Sequence, residues 1–163
     1  MYTPAHICHR PICRQLRSGL ILLAAYAMLM QWSGCGSSEM TIFFLGDTKK
    51  LNTCGGSVAQ SVVVRIYQLR NTANFRKATG ESFWQNDRGV LADELLERTE
   101  ITLYPGEVRE VAIKRAEQAS YIGVAADFCK PERDLWRQVY ALEGGASELI
   151  VELFEGSLTI KTR

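Results

Sequence analysis

The sequence predicts an all-β protein, built as a two-sheet antiparallel β-sandwich with a small helical insertion between two early strands. Apolar and polar residues alternate with a period of two after residue 99, which is typical of half-buried strands. Short strand-like runs are separated by turn residues, and helical spacing is confined to residues 71–97. Strands and helices do not alternate regularly, and this pattern favours a sandwich over a parallel α/β fold.

The first half of the predicted domain contains two strands joined by a turn. Residues 40–45 form the first strand, and the polar residues 47–51 are interpreted as its continuation beyond a bend or bulge near Gly46. Residues 52–57 make the strongest turn cluster. Residues 61–69 are rich in β-branched and aromatic side chains and predict the second strand.

The helical insertion is predicted to contain two short helices, at residues 71–77 and 89–97. Gly80 is expected to end the first helix. Phe83 and Trp84 lie between the two helices and are interpreted as apolar contacts that dock the insertion onto the sheet.

The second half of the domain consists of strands. Residues 99–104 and 107–113 flank Pro105 and Gly106, which suit the second and third positions of a type II turn. Four more strands are predicted, at residues 121–128, 135–142, 148–154 and 158–161.

The N-terminus has the features of an export signal. A basic segment without acidic residues precedes the apolar run 19–30, which is too short for a convincing membrane span. Ser33 and Gly34 before Cys35 resemble a lipobox, so Cys35 is predicted to carry the lipid. The predicted organisation is a lipoprotein signal peptide over residues 1–34, a lipidated tether over 35–39 and a β-sandwich domain over 40–163. The alternatives are an ordinary secretory signal with an incidental cysteine and an uncleaved anchor.

The composition of the predicted mature chain excludes several functions. Residues 1–34 contain three of the 19 basic residues and none of the 18 acidic ones, so their removal leaves a net charge of −2. Such a balance does not favour nucleic-acid binding. Both histidines are also lost, which excludes Ser-His-Asp and Cys-His mechanisms. Only two thiols remain besides Cys35, too few for a structural zinc site. We therefore predict no catalytic residues, no metal and no cofactor.

The two remaining cysteines, Cys54 and Cys129, leave two possibilities open. In an oxidising compartment they could form a disulfide that closes a long loop. Spacing alone does not show whether their Cα atoms approach closely enough, so two separately buried thiols are the alternative.

Three groups of side chains are considered as catalytic or binding sites, and each is assigned a structural role. Asp93, Glu94 and Glu97 are interpreted as a solvated helix face. Asp127 and Arg137 are interpreted as a structural ion pair or strand-edge contact. Trp136 and Tyr140 are interpreted as core or sheet-face packing.

Several of these features, in this order, resemble one family: the outer-membrane lipoproteins of the type VI secretion system, known as TssJ, VasD or Lip. The resemblance covers essentially all of the predicted mature domain. The matching features are the lipobox, the turn at Asn52 before residues 61–69, the insertion with Phe75 and Trp84, the turn at 103–106, residues 122–128, and Trp136 with Arg137.

The resemblance implies a transthyretin-like or C2-like sandwich tethered to the outer membrane and facing the periplasm. It also implies a non-enzymatic role, in which the domain binds the periplasmic C-terminal domain of the inner-membrane protein TssM. In that family the loop between the first two strands contacts the partner. This loop maps onto Asn52, Thr53, Cys54, Gly55, Gly56, Ser57, Val58, Ala59 and Gln60.

Two other functions remain as alternatives to this assembly role, in which no small-molecule substrate is expected. The first is a periplasmic lipoprotein that binds a ligand or carbohydrate through exposed aromatics, which requires Trp84, Trp136 and Tyr140 around one groove. The second is a hydrolase that uses only carboxylates, which requires two of them across a cleft.

Overall fold

A computed structural model describes residues 39–163; the predicted signal peptide and Cys35 lie outside the described residues. In chain order the elements are β1 Glu39–Gly46, β2 Val62–Leu69, α1 Ala73–Lys77, α2 Gly80–Leu91, β3 Leu95–Leu103, β4 Val108–Lys114, β5 Tyr121–Ala126, β6 Arg137–Ala141, β7 Glu148–Leu153 and β8 Leu158–Thr162. Single 3-10 turns follow α2 at Ala92–Glu94 and β6 at Leu142–Gly144. Within residues 39–163, no helix is both long and apolar enough to cross a membrane.

The strands form the predicted two-sheet sandwich. One sheet has the order β4-β1-β7-β8 and the other the order β3-β2-β5-β6. All pairs are antiparallel except β1 with β7, which run parallel. These two strands lie far apart in the sequence, so no tight turn has to join them and a parallel pairing is accessible.

The predicted turn at Pro105 and Gly106 is present and connects the two sheets. Gly106 has φ +74°, and the N–H of Glu107 donates to the carbonyl of Tyr104 at 3.1 Å. Glycine adopts this left-handed conformation without steric cost. The flanking strands β3 and β4 belong to different sheets, so the turn is a corner of the sandwich.

The predicted continuation of the first strand over residues 47–51 is wrong. β1 ends at Gly46, because the side-chain Oδ1 of Asp47 accepts the N–H groups of Lys49 and Lys50 at 2.8 and 2.7 Å. These bonds close a local turn that competes with strand pairing. At its other end, β1 begins at Glu39, one residue earlier than predicted.

The helical insertion lies where it was predicted. Its second helix and the start of β3 differ from the prediction. α2 begins at Gly80, the residue expected to end the first helix. It is interrupted at Asn86, whose φ is −151°, and it ends at Leu91. Leu95 belongs to β3 and pairs with Leu69 across a bulge. Apart from this early start of β3, the other strands begin and end within two residues of the prediction.

The insertion packs on the outer face of the sheet that contains β2. The rings of Tyr67, Phe75 and Phe83 meet edge to face, with centroids 5.4 to 5.6 Å apart. Phe75 reaches the sheet over Gly123, where an added Cβ would lie 3.0 Å from its ring. Phe83 is fully buried, so its predicted role as a docking contact is confirmed.

Candidate interaction surface at one end of the sandwich

Four loops meet at one end of the sandwich. We call this the loop end and define it by residues 47–61, 104–107, 127–136 and 154–157. Backbone hydrogen bonds join these loops: Asn52 donates to Phe154, and Glu132 donates to Gly156. Gly106 donates to Gly46 at the end of β1. β1 runs towards this end, so its first residue, Glu39, lies at the opposite end.

Asn52 organises the loop between β1 and β2. Its side-chain Nδ2 donates to the carbonyl of Ser61 at 2.9 Å, and its Oδ1 accepts the N–H of Cys129 at 2.9 Å. Its backbone has φ +47°, a conformation that asparagine tolerates better than most residues. One buried side chain therefore ties the loop to its own last residue, just before β2, and to the β5–β6 loop.

The same loop is also fixed covalently. Cys54 and Cys129 are joined by a disulfide, with their Cα atoms 5.0 Å apart. Thr53 donates its hydroxyl to Glu155 at 2.6 Å, which adds a contact to the β7–β8 loop. Gly55 has φ +83°, and an added Cβ there would overlap the side-chain nitrogen of Lys130.

The predicted partner-binding residues differ in their exposure. Asn52 and Thr53 are buried, and Cys54 and Ala59 are half-buried, so these residues shape the loop. The exposed members, which can contact another protein, are Gly55, Gly56, Ser57, Val58 and Gln60.

Large exposed hydrophobic side chains gather at the loop end. Within residues 39–163, every such side chain lies in one of the four loops or at the first position of β4. They are Val58 at 71%, Tyr104 at 56%, Val108 at 67%, Leu135 at 43% and Phe154 at 39% exposed. Exposed apolar residues concentrated in one region are typical of interaction sites. Sequence analysis identified only Val58, because the loops that carry the others meet only in the fold.

Two of the three aromatic residues considered for ligand binding do line one cleft. Trp84 and Trp136 have ring centroids 6.4 Å apart and border a cleft of about 380 Å³ beside the loop end. Tyr140 is not part of its lining and lies near Gly144. Trp136 is 4% exposed, as expected for core packing.

The predicted contact between Asp127 and Arg137 does not form. The guanidinium of Arg137 donates instead to the carbonyl of Arg76 at 2.6 Å and to Asp134 at 3.2 Å. Asp127 sits just beyond the end of β5, and the N–H of Asp127 donates to Val63. Arg137 is therefore used to fix α1 to β6.

The predicted solvated face of Asp93, Glu94 and Glu97 is wrong for Glu94. Glu94 is 2% exposed, and its carboxylate accepts the N–H groups of Asn74 and Phe75 at 2.7 and 3.2 Å. It thereby caps the first turn of α1, where backbone N–H groups lack helical partners. Glu97 lies on β3 and accepts from Gln68, so these acids do not form a catalytic pair.

A second buried carboxylate, which sequence analysis missed, holds α2 on the sheet. Asp87 is 4% exposed and accepts hydrogen bonds from Arg65 at 3.2 Å, Tyr67 at 2.9 Å and Arg98 at 2.9 Å. Burial raises the pKa of Asp87, but the hydrogen bonds and positive charges outweigh this effect and hold its pKa below the usual value. Burial raises the pKa of the Tyr67 hydroxyl. An Asp87 carboxylate that three side chains hold in place serves structure, and its lowered pKa makes it a poor general acid or base near neutral pH.

The part of the chain that the structure describes holds no group of three or more His, Cys, Asp or Glu side chains arranged to bind a metal ion. The loop end presents exposed apolar side chains beside exposed turn backbone, a composition that suits contact with another protein.

Comparison with known proteins identifies the family. Residues 42–156 match the family model described as type VI secretion lipoprotein, VasD, EvfM, TssJ, VC_A0113. No curated protein sequence matches the chain.

Solved structures share the fold. The T6SS lipoprotein TssJ1 from Pseudomonas aeruginosa is 25% identical and has a TM-score of 0.69, with 78% of this chain and 97% of that chain covered. A chain in a structure described as the type VI membrane complex is 26% identical, with a TM-score of 0.70 and coverage of 76% and 98%. A chain in the structure described as the T6SS protein TssM C-terminal domain from EAEC is 23% identical, with a TM-score of 0.67 and coverage of 77% and 98%.

The family model covers most of the sandwich, from the fourth residue of β1 to the loop after β7. The chain belongs to the type VI secretion lipoprotein family.

Proposed function

We propose that this chain is a lipid-anchored, non-enzymatic assembly protein of the outer membrane. In this role it binds the periplasmic C-terminal domain of a TssM-like inner-membrane protein through the loop end, with residues 52–60 at the centre of the contact. The main support is the gathering of exposed hydrophobic side chains at the end of the sandwich opposite Glu39.

The position of β1 suits a protein that links two membranes. β1 has eight residues, which span roughly 26 Å at about 3.3 Å per residue. Cys35, the proposed lipid site, precedes Glu39 by only four residues in the sequence. An anchor attached at one end of the sandwich therefore leaves the loop end available to a partner rooted in the other membrane.

The loop between β1 and β2 is held in place before any partner arrives. The disulfide and the side chain of Asn52 fix its base, while Gly55 to Val58 stay exposed. A preorganised loop loses less conformational entropy on binding than a mobile one. A modest contact area can then give useful affinity, and confinement at a membrane raises the effective concentration further.

The choice of partner rests on the family and on the solved structures that share its fold. The family is that of type VI secretion lipoproteins, and chains of this fold occur in structures described as the type VI membrane complex and the TssM C-terminal domain. A non-enzymatic role agrees with the structural contacts made by the buried carboxylates Asp87 and Glu94.

The anchoring part of the proposal is tested with Cys35→Ser in cells that lack the TssM-like protein. We expect the variant to leave the outer-membrane fraction, whereas the control Ser37→Ala stays there. The purified variant should bind the partner domain as the native protein does, because Cys35 lies outside the contact. Persistence of Cys35→Ser in the outer-membrane fraction would refute lipid anchoring at this residue.

A further inference from the structure

The cleft beside the loop end is lined by apolar and acidic side chains. Trp84, Phe128, Pro131 and Trp136 supply apolar walls, and Glu81 and Asp127 supply carboxylates. Of the described residues that line the cleft, two are acidic and none is basic. Its volume of about 380 Å³ admits a long side chain together with the backbone that carries it.

The carboxylates of the cleft have no partner within the described part of the chain. No hydrogen bond or ion pair engages the side chain of Glu81 or Asp127 within residues 39–163. Both Asp127 and Glu81 are exposed residues at the mouth of the cleft. Desolvation by the cleft walls raises the pKa of Asp127, and the positive charge of Arg65 offsets this effect only in part. A partly desolvated carboxylate without a partner is stabilised by an incoming cation.

Two arginines stack on the tryptophans that border the cleft, Arg137 on Trp136 at 4.5 Å and Arg65 on Trp84. Arg137 pairs with Asp134 at 3.2 Å, and Arg65 is also occupied. Its guanidinium contacts Asp87 at 3.2 Å and Glu100 at 2.7 Å, and it stacks on the ring of Trp84 at 4.6 Å. Both arginines therefore have carboxylate partners of their own, whereas no basic side chain forms an ion pair with Asp127 or Glu81 within residues 39–163.

We propose that this cleft receives an Arg or Lys side chain from the protein partner that docks at the loop end. The aliphatic stem of such a side chain packs against the aromatic walls while its charged head reaches the carboxylates, which is how long basic side chains use mixed surfaces. The inference rests on the proposed function, because the cleft and the loop end have residues in common: Asp127, Phe128, Pro131 and Trp136.

The test is calorimetric titration of residues 36–163 with the periplasmic C-terminal domain of the TssM-like protein from the same organism. This part of the chain suits the experiment, because residues 39–163 belong to one compact unit with its own core. The match to this chain also covers 97–98% of the length of the solved relatives.

Three variants separate the contributions of charge and position. Asp127→Asn is expected to weaken binding about tenfold at low salt, with the difference shrinking as salt screens the pair. Asp127→Lys is expected to weaken binding further through repulsion. Glu143→Gln, an exposed acid in the 3-10 turn after β6 and away from the loop end, is the matched control and should bind like the native domain.

The outcomes distinguish this inference from the function on which it rests. Native affinity in both Asp127 variants would overturn the inference and leave the proposed function intact. Tighter binding by Asp127→Lys would show that the occupant is anionic and would overturn it as well. Failure of the native, folded domain to bind would overturn the proposed function and this inference together.

Discussion

The side-chain Oδ1 of Asn52 accepts a hydrogen bond from the backbone N–H of Cys129 at 2.9 Å, which joins the β1–β2 loop to the β5–β6 loop. Cys54, two residues after Asn52, is joined to the same Cys129 by the disulfide. A hydrogen bond and a covalent bond thus hold together the two loops that form most of the candidate interaction surface. The loop end is therefore a rigid platform whose exposed residues project from a fixed base.

Removing the disulfide is expected to lower the free energy of unfolding by about 4 kcal/mol. The bond joins residues 75 positions apart, and closing a loop of that length restricts the unfolded chain by about this amount. The measurement is urea unfolding of the native domain and of the double variant Cys54→Ser, Cys129→Ser.

The presence of the bond itself is checked by mass after alkylation of the denatured chain. Two thiols should become reactive only after reduction. Equal alkylation with and without reductant would show that the bond is absent from the protein.

Asp87→Ala is expected to destabilise the domain by about 3–5 kcal/mol. The substitution leaves Arg65 and Arg98 partly buried without their shared carboxylate and removes the acceptor of the Tyr67 hydroxyl. Thermal and urea unfolding measure the loss. Glu100→Ala, which removes a more exposed partner of Arg65, is the control and should cost about 1 kcal/mol or less. Similar effects of the two substitutions would contradict the central role assigned to Asp87.

The lowered pKa of Asp87 predicts that the stability of the domain depends on pH. The pKa of Asp87 is about 3.9 in the unfolded chain. In the folded state its pKa is lower. Its stabilisation is therefore fully present above the unfolded value and is lost as the pH falls through the folded pKa. We expect the stability of the native domain to decline more steeply below about pH 4 than that of Asp87→Asn. Parallel pH profiles for the two proteins would count against a depressed pKa.

Gly123→Ala is expected to destabilise the domain by about 1–3 kcal/mol. An added Cβ would lie 3.0 Å from the Phe75 ring and 3.1 Å from Leu69, both of which are fully buried, so the helical insertion would have to move. Gly80→Ala is the matched control, because an added Cβ there meets nothing within 4 Å. Unfolding midpoints measure both; a neutral Gly123→Ala would show that Phe75 does not pack as closely as described.

Sequence analysis predicted elements whose signal is local. The spacing of Leu149, Val151 and Leu153 at every second position identified β7, and the type II turn followed from Pro105 and Gly106. Residues 95–97 were misassigned because their apolar spacing fits a helix as well as a strand. Pairing of Leu95 with the distant Leu69 decides in favour of the strand.

The candidate site was also predictable only where its signal is local in the sequence. Turn residues and the family resemblance pointed to residues 52–60, and Val58 is indeed highly exposed there. Tyr104, Leu135 and Phe154 lie in three other loops, and only the topology of the two sheets places these loops at one end. Glu94 was interpreted as part of a solvated helix face and Asp87 was not identified, because the partners of both are distant in the sequence.

The central claim is that the loop end binds the TssM-like partner. Calorimetric titration of residues 36–163 with the partner's periplasmic C-terminal domain tests it most directly, beside a variant in which residues 53–60 are replaced by a short Gly-Ser turn. The account predicts binding by the native domain and its loss in the loop variant, with circular dichroism showing that both are folded. Equal binding by both proteins would place the contact elsewhere, and no binding by the folded native domain would contradict the proposed function.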